Sequence, residues 1–231
     1  MSIKIEHLPF TIRVAETEED ILKAIRVRQS AYGRHLPELA SRMGEPDAAD
    51  LDGSAVVLLA ESKLDGSALG TMRIHTNSAK PLPVEASVAL PAQYRGRALA
   101  EATRLGVESG RVGSAVKTYL FKSLYVYCAT NEVEWIVITA RPPLDRMYQA
   151  ILYKDVYEGG PYIPMAHVGN VPHRVMSYHV DDAPTSPEAL AHPLYETFFR
   201  TLHPDINLTG RPSVVRQPRP VPYGRDERLH A

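Results

Sequence analysis

A carboxylate and a guanidinium stand three residues apart in a stretch that is typical of a β-strand. Glu101 and Arg104 lie in the segment EATRLGV, residues 101–107. A carboxylate can take a proton from a reacting group, directly or through a water. Alternate side chains of a strand face opposite ways, so Glu101 and Thr103 share a face that Arg104 does not share, unless a bulge intervenes. We therefore expect Glu101 to act as a general base and Arg104 to pair with an aspartate.

The residues just before this strand offer one candidate phosphate-binding loop. Residues 93–98 read QYRGRA and fit the Gln/Arg-x-x-Gly-x-Gly/Ala pattern that holds the coenzyme A pyrophosphate in many acetyltransferases. Such a loop should open a helix that runs into a buried strand. If residues 98–110 formed that helix, a second long helix would still follow Gly110 before the next buried strand. This loop is therefore the weaker candidate.

The turn after the strand is the stronger candidate. It leads directly into a predicted helix over 113–130, and an apolar strand follows that helix. Backbone N–H groups at a helix N-terminus bind anions. We therefore predict that residues 109–115 hold the phosphate of a thioester substrate, with Arg111, Gly113 and Ser114 as the contacting residues.

Hydrophobic periodicity predicts strands alternating with helices. Strands are predicted at 10–16, 54–62, 68–76, 134–140 and 173–181, besides 101–107. Helices are predicted after a cap at Thr17, at 113–130 and at 144–153, with a loop or broken helix at 33–52. This order favours an α/β (α+β) fold with a partly antiparallel sheet.

The chain changes character after residue 182, where prolines become frequent. The pattern in 187–203 predicts a helix that His192-Pro193 can interrupt, and the last ~20 residues suit an extended arm. We therefore predict a catalytic domain at 1–182 and a C-terminal helix with a proline-rich arm at 183–231.

Several short motifs occur in a characteristic order. They are RQSAY (28–32), DLDGSAV (50–56), LGTMRI (69–74), EATRLGV (101–107) and RPPLDRMYQAILYKDVYEGGPYI (141–163). Together they resemble the motifs of acyl-homoserine-lactone synthases and the related N-acyl amino acid synthases, over roughly residues 10–182. The resemblance implies the GNAT, or acetyltransferase-like, fold: a bent mixed sheet flanked by helices and splayed open where an acyl thioester binds. It also implies transfer of an acyl group from acyl carrier protein to an amine.

The resemblance also implies an acidic corner before the first central strand. In the family two aspartates often stand three residues apart, whereas Asp50 and Asp52 stand two apart, and Asp47 is another candidate. The tryptophan that lactone synthases carry near residues 36–40 is absent, which argues against S-adenosylmethionine as the acceptor. The polar residues expected around the corner and the substrate are Arg28, Tyr32, Arg73, Thr103 and Arg104. A structural ion-pair network, for instance between Arg104 and Asp52, explains the charges equally well.

Tyr148 is the expected general acid. It lies on the short helix after Pro142-Pro143 and is similar in position to the tyrosine that protonates the leaving thiolate in acetyltransferase-like folds. A core or rim residue is the simpler interpretation. A backbone N–H in 103–107 is expected to stabilise the oxyanion.

The composition excludes several classes of protein. A formal net charge of −1 over 231 residues provides no global attraction to nucleic acid or to an anionic membrane. A single cysteine excludes an internal disulfide framework, and the nine histidines show no metal-binding spacing. No segment approaches the ~20 apolar residues of a membrane span. We therefore expect a cytoplasmic protein without a bound metal or a permanent cofactor.

Basic residues suggest how a carrier protein would dock. Lys117 and Lys122 on the long helix, with Arg95, Arg97 and Arg111, could form a basic patch for acyl carrier protein. A solvated helix face explains them as well.

The sequence as a whole predicts an N-acyltransferase. It would move a fatty acyl group from acyl carrier protein, or from coenzyme A, to an amino acid or a similar amine. Two alternatives stay open: an acetyl-coenzyme A-dependent acetyltransferase that uses the 93–98 loop, and a non-catalytic acyl-binding protein of the same fold.

Overall fold

The computed structural model describes residues 4–210. Within them the strands are β1 (Lys4–Ile5), β2 (Phe10–Val14), β3 (Ala55–Ser62), β4 (Ala68–Thr76), β5 (Leu99–Val107), β6 (Trp135–Ala140), β7 (Lys154–Asp155), β8 (Ile163–Met165), β9 (Val171–His179), β10 (Thr201–Leu202) and β11 (Ile206–Asn207). The α-helices are α1 (Glu18–Gly33), α2 (Pro37–Ala40), α3 (Ala48–Leu51), α4 (Gly110–Thr130), α5 (Leu144–Ala150) and α6 (Pro187–Leu190). Short 3₁₀ turns occur at Pro83–Ala86, Ala92–Tyr94 and Ala166–Val168, and a π-helical turn at Glu196–Arg200.

A mixed sheet forms the centre of the fold. Its strand order is β11-β2-β3-β4-β5-β6-β9-β7, and β8 also pairs with β9. The pairs β11–β2 and β5–β6 are parallel, and the others in this sheet are antiparallel. The predicted mixed α/β fold is confirmed.

Helices cover both faces of the sheet. On one face Val116 and Leu120 of α4 pack in a core that includes Met72 and Ile74 of β4. On the other face α1 packs against β3, whose apolar side chains are therefore buried on both sides. This two-sided burial explains why the sequence of β3 is a continuous apolar run and does not alternate.

The start of α1 and the segment 33–52 both agree with the sequence predictions. Thr17 caps α1: its hydroxyl accepts from the N–H of Asp20 at 3.2 Å, and the Asp20 carboxylate accepts from the N–H of Thr17 at 3.2 Å. The predicted broken helix in 33–52 consists of α2 and α3. The structure thus confirms both predictions.

The two candidate phosphate loops lie at opposite ends of β5 and lead into different elements. At its C-terminal end β5 runs directly into α4, whose N-terminal flanking residue is Ser109. At its N-terminal end, residues 93–98 form part of a 3₁₀ turn and a loop that lead into a strand. The 93–98 loop therefore opens no helix and has no helix N-terminus to offer an anion.

The sheet opens between β5 and β6. These strands pair only over residues 99–102 and 135–138. Beyond Ala102, β5 continues to Val107 while β6 ends at Ala140, so the two parallel strands diverge. The gap between them is the place where a ligand can enter the sheet.

The residues after 182 pack back onto the fold. His192-Pro193 interrupts the predicted helix, which is replaced by α6 and the π-helical turn. β11 then joins the edge of the main sheet beside β2, and β10 pairs with β1. The domain division at 182 stays a prediction, and the expected extended arm lies outside the described residues.

Gly113 tests how tightly β5 turns into α4. A Cβ at this position would lie 1.7 Å from the carbonyl oxygen of Glu108, so the backbone must shift to admit one. We expect Gly113→Ala to reduce the free energy of unfolding by about 2 kcal/mol or more, measured by urea titration. The neighbouring exposed-residue control, Ser114→Ala, should change it by less than about 0.5 kcal/mol. Equal stability of the two variants would contradict the close approach.

Candidate active site

A cavity of about 550 Å³ lies where β5 and β6 diverge. The end of α1, the segment from α2 to α3, and α5 surround it. Five predicted site residues line it, namely Tyr32, Arg73, Thr103, Arg104 and Tyr148. Its wall also contains Asp47, which the sequence offered as an alternative member of the acidic corner, and further polar residues outside the predicted site, among them His75, Thr139 and His167.

A buried ion pair supports one side of the cavity. The two terminal nitrogens of Arg28 donate to the two carboxylate oxygens of Asp50 at 3.0 and 3.1 Å, and both side chains are almost fully buried. This bidentate geometry ties α1 to α3. Asp50 also accepts from the backbone N–H of Asp47 at 3.2 Å, which fixes the first turn of α3.

Asp47 extends this network of ion pairs to the cavity wall, where it contacts Arg73 and Arg104. It accepts from Arg73 Nη1 at 2.5 Å and from Nη2 at 2.8 Å, and Arg104 Nη2 lies 3.7 Å away. Burial alone would raise the pKa of Asp47, but the hydrogen bonds and charges of Arg73, with those of Arg104 and Arg28, bring that pKa down to about 2. Asp47 is therefore ionised at any physiological pH.

The acidic corner is thus formed by Asp47 and Asp50, three residues apart, and the expected pair of Asp50 with Asp52 is wrong. Asp52 accepts from the N–H of Ser54 at 2.8 Å and lies 3.7 Å from Lys80. It makes no ion pair with Arg104, because the turn after α3 directs it away from the arginines into a partly exposed position.

A β-bulge changes the face on which Arg104 lies. The register between β4 and β5 shifts between Thr71 and Arg73, and Arg104 has a φ of 55°. Arg73 stands opposite Thr103, so the contact of Arg104 with Asp47 places it on the face of Thr103 and Glu101. Strict alternation would have separated them, and the bulge removes that separation.

The guanidinium group of Arg104 has one nitrogen that can still bind a ligand. Its Nη1 is buried and has no hydrogen-bond partner among residues 4–210. Burial lowers the pKa of Arg104, and the neighbouring Arg73 charge lowers it further, while Asp47 opposes the shift. An anion in the cavity would therefore be a favourable partner for this guanidinium.

Glu101 is fully buried beside the cavity, at 0% exposure. Its Oε2 accepts from the N–H of Val84 at 2.7 Å, whereas Oε1 has no hydrogen-bond partner in the described part of the chain. Burial raises the pKa of Glu101 to about 8, against the effect of the Val84 hydrogen bond and with a smaller contribution from Glu85. Glu101 is therefore mostly protonated at neutral pH and becomes a base within the range that suits amine chemistry.

Two histidines that the sequence analysis did not assign connect Glu101 to the cavity. His167 Nε2 lies 3.7 Å from Glu101 Oε1 and 3.2 Å from the hydroxyl of Thr139. His75 stands opposite Glu101 in the β4–β5 register, and its Nε2 lies 3.0 Å from the hydroxyl of Thr103.

Both imidazoles are neutral at pH 7. Burial lowers the pKa of His75 and that of His167 to about 4 each, and nearby cationic and imidazole groups add to the shift. A neutral imidazole can accept a proton on one nitrogen and release one from the other. The alternation of residues 68–76 already placed His75 on the face of Arg73, which was the available signal in the sequence.

Tyr148 lines the cavity from α5 and is 5% exposed. Its ring packs against Phe121 and Tyr153, with centroids 5.2 Å apart in both cases. Burial raises the pKa of Tyr148, so the phenol keeps its proton and can donate it. Burial also raises the pKa of Tyr32, although the charges of Arg104 and Arg28 oppose this.

The predicted phosphate residues lie at the first turns of α4. Arg111 and Ser114 are exposed and Gly113 is buried, and none of the three lines the cavity. Ser109 makes no side-chain cap, which leaves backbone N–H groups of the first turn for another acceptor. The assignment of the phosphate to this turn stays a prediction.

Other basic residues line the cavity instead. They are Arg34, Lys80, Lys117 and Arg141, in addition to Arg73 and Arg104. Arg34 donates to the carbonyl oxygen of Val107 at 2.6 Å, which holds it beside the turn between β5 and α4. Among the described residues that line the cavity, Asp47 is the only carboxylate. The cavity is therefore suited to anionic ligands.

The predicted docking patch does not exist as one surface. Lys122 is buried, at 4% exposure, and donates to the carbonyl oxygens of Thr197 and Thr201. Arg97 lies at the opposite end of β5 from α4 and pairs with Glu134 at 3.0 Å. The periodicity of α4 could not reveal this, because the C-terminal segment that covers Lys122 is distant in sequence.

The comparison with protein families decides the classification. The model of the N-acyl amino acid synthase FeeM family matches residues 23–182. The chain belongs to this family. Together with the GNAT architecture, membership makes the protein an acyltransferase, an enzyme of the N-acyltransferase type. A search of curated protein sequences found no match.

Solved structures share the fold. The N-acyl amino acid synthase FeeM from uncultured soil microbes is 18% identical, with a TM-score of 0.61, over 78% of this chain and 97% of that one. The coenzyme A-dependent acyl-homoserine lactone synthase BjaI is 16% identical, with a TM-score of 0.55, over 84% of this chain and 93% of that one. A GNAT-family protein from Desulfovibrio desulfuricans is 14% identical, with a TM-score of 0.52, over 74% and 99%.

Residues 4–210 contain neither a helix suited to cross a membrane nor a metal-binding cluster. No helix there combines the length and apolar character needed to cross a membrane. No group of three or more His, Cys, Asp or Glu side chains there is arranged to hold a metal ion.

Removing one member of the buried ion pair tests the corrected corner. Asp50→Asn leaves the Arg28 charge buried without its partner, and we expect a loss of about 3–5 kcal/mol in the free energy of unfolding. The matched control, Asp52→Asn, should change it by less than about 0.5 kcal/mol, because Asp52 is partly exposed. Urea unfolding of both variants measures the difference, and a larger loss for Asp52→Asn would restore the original assignment.

The raised pKa of Glu101 makes stability depend on pH. Between 4.5, the ordinary value, and about 8, the folded state binds one more proton than the unfolded state. Stability should therefore fall as pH rises through this window, by about 1.4 kcal/mol per pH unit. Glutamine does not titrate, so Glu101→Gln should stabilise the protein by about 3 kcal/mol at pH 7 and by less than about 1 kcal/mol at pH 5.

Urea unfolding at several pH values measures this gain. The exposed control Glu45→Gln should leave the unfolding midpoint unchanged at both pH values. A gain from Glu101→Gln that is the same at pH 5 and at pH 8 would show that Glu101 titrates normally.

Proposed function

We propose that the protein transfers a fatty acyl group from a thioester of acyl carrier protein or coenzyme A to the amino group of an amino acid or similar amine. The observation that carries the proposal is the buried Glu101 carboxyl, whose Oε1 lies beside a neutral histidine at a cation-lined cavity. A second proton donor, Tyr148, lines the same cavity. Aminolysis of a thioester needs this combination of a base and an acid.

The reaction begins with deprotonation of the amine. An amino group enters mostly as an ammonium ion, and the Glu101 carboxylate accepts its proton through His167 or His75, because Glu101 itself does not line the cavity. The neutral amine then attacks the thioester carbonyl carbon and forms a C–N bond. The carbonyl oxygen becomes an oxyanion, for which a backbone N–H of residues 103–107 is the proposed donor.

Collapse of the tetrahedral intermediate completes the transfer. The C–S bond breaks, the carbonyl re-forms, and the thiolate leaves. Tyr148 gives its proton to the sulfur, since burial keeps the phenol protonated. The attacking nitrogen loses its second proton to the Tyr148 phenolate as the amide forms, and Glu101 releases its proton to solvent, so the enzyme returns to its starting state.

Recognition of an amino acid follows from the free nitrogen of Arg104. The carboxylate of the acceptor can bind Arg104 Nη1, which has no protein partner within residues 4–210. FeeM is described as an N-acyl amino acid synthase, and this relationship supports an amino acid as acceptor. The absence of the tryptophan found in lactone synthases points in the same direction.

The donor enters from the side of the turn between β5 and α4. Arg34 and Lys117 line the cavity there and would neutralise the phosphate of a phosphopantetheine arm, with Arg111, Gly113 and Ser114 at the helix N-terminus. BjaI is described as coenzyme A-dependent, and phosphopantetheine is common to coenzyme A and acyl carrier protein. Both donors therefore belong in the assay.

Kinetics with a panel of donors and amines test the proposal. We expect turnover of long-chain acyl carrier protein or acyl-coenzyme A with amino acids, and less turnover with the corresponding amines that lack a carboxylate. In the unmodified enzyme kcat/KM should rise with pH up to about 8, the pKa of Glu101. Glu101→Gln should lower kcat/KM by about 10²- to 10⁴-fold and remove this rise, and Tyr148→Phe should lower kcat.

Mass spectrometry of the products identifies the acyl amide formed. Glu45→Gln serves as the exposed control and should keep the original pH profile. Turnover of acetyl-coenzyme A without any long-chain donor would contradict the proposed donor. Unchanged turnover in Glu101→Gln and Tyr148→Phe would contradict the roles of these two residues.

A further inference from the structure

A second cavity lies on the far side of Tyr148 from the active site. It is smaller, about 30 Å³, and none of the residues that line it is Lys, Arg, Asp or Glu. One wall consists of residues from α4, β6, β9 and the segment that follows α5, among them Phe121 and Tyr153. The opposite wall comes entirely from the C-terminal segment: Ala189, His192, Leu194, Tyr195, Phe198 and Phe199.

A single layer of aromatic rings separates the two cavities. Tyr148 lines the first cavity, and its ring contacts Phe121 and Tyr153, which line the second. The first cavity combines cationic groups with apolar side chains such as Leu36 and Leu144, so it can hold the thioester and the part of the acyl chain next to it. The second cavity has no charged side chain in its lining and lies directly behind the ring layer, so it is the adjacent space where the end of a longer chain can be buried.

The C-terminal wall is held firmly against α4 and α5. Lys122 Nζ donates to the carbonyl oxygens of Thr197 and Thr201 at 2.7 and 2.5 Å and lies 2.7 Å from His203 Nδ1. Burial lowers the pKa of Lys122 to about 8, so the ammonium form still predominates at neutral pH and uses all three of its donors. His192 Nε2 is 2.8 Å from the carbonyl oxygen of Ala150, at the end of α5.

We propose that residues 189–199 form the end wall of the acyl-chain pocket and set the longest acyl chain that the enzyme accepts. This inference rests on the proposed function and adds a specificity determinant to it. The family model ends at residue 182, so the wall belongs to a part of the chain that the family match does not cover. An acyl chain would reach the wall when the ring layer of Tyr148, Phe121 and Tyr153 shifts to admit it.

The wall is expected to make kcat/KM depend steeply on the length of the acyl chain. Each methylene group transferred from water into an apolar pocket contributes about 0.8 kcal/mol, or roughly a fourfold gain in kcat/KM. A side chain that fills the second cavity should remove this gain for the outermost methylenes only. A side chain that enlarges the cavity should extend the gain to longer donors.

Two substitutions with opposite effects on the volume of the second cavity test the wall. Ala189→Leu adds volume at a fully buried lining position, and Phe198→Ala removes a ring. The control is Leu190→Ala, because Leu190 neighbours Ala189 but is 54% exposed and does not line the cavity. The readouts are kcat/KM for saturated donors from butanoyl to hexadecanoyl, and displacement of a fluorescent fatty acid by free fatty acids of the same lengths.

The inference predicts that Ala189→Leu lowers kcat/KM for the longest accepted donors by about fourfold per displaced methylene and leaves butanoyl transfer unchanged. Phe198→Ala should shift the optimum to longer donors, and Leu190→Ala should keep the original profile. Profiles of Ala189→Leu and Phe198→Ala that match the unmodified protein, with thermal unfolding showing that both are folded, would overturn the inference. Two variants of opposite sign are used so that one result stands if the other variant fails to fold.

The fatty-acid displacement separates this inference from the proposed function. If the unmodified protein turns over no donor, the proposed function fails, and the wall is then judged by binding alone. A chain-length dependence of fatty-acid binding that Ala189→Leu shortens would support the wall, and an unshifted dependence would overturn it.

Discussion

The buried ion pair between Arg28 and Asp50 is the interaction on which one side of the cavity depends. Moving two opposite charges out of water is costly. A buried ion pair is stable only when its geometry is favourable, as it is in this bidentate pair. Because Asp50 also accepts from the backbone N–H of Asp47, the pair fixes Asp47, and Asp47 in turn holds Arg73 and lies close to Arg104. The ion network thus reaches the cavity wall, where Arg104 Nη1 has no hydrogen-bond partner among residues 4–210.

The other side of the cavity contains a buried acidic side chain with a raised pKa instead of a buried ion pair. Glu101 has no Lys or Arg partner among residues 4–210, and burial raises its pKa to about 8. This arrangement destabilises the folded chain at neutral and higher pH, and in the proposed mechanism it supplies the base, which is a common exchange between stability and activity. The neutral His75 and His167 let the proton move between Glu101 and the cavity without placing another charge in the interior.

The C-terminal segment adds structure beyond the residues that the family model matches. The family match ends before this segment, yet the segment adds β11 to the main sheet and covers the aromatic residues behind Tyr148. Lys122 binds it through three acceptors, so a lysine that the pattern of α4 would place in solvent instead joins distant parts of the chain. The C-terminal segment thus lines the second cavity and does not line the first.

The assignment of Glu101 and Tyr148 as acid–base residues stays a prediction. The sequence did predict the succession of long elements, the strand 101–107 that runs into α4, and the family. Local periodicity encodes these features, because strands and helices repeat their buried faces over short distances. Only the tertiary structure decided that Asp47 and not Asp52 completes the corner, and that a bulge brings Arg104 to the face of Glu101. It also decided the short edge strands and the burial of Lys122. These features depend on register shifts and on contacts between residues far apart in the chain, which no local pattern contains.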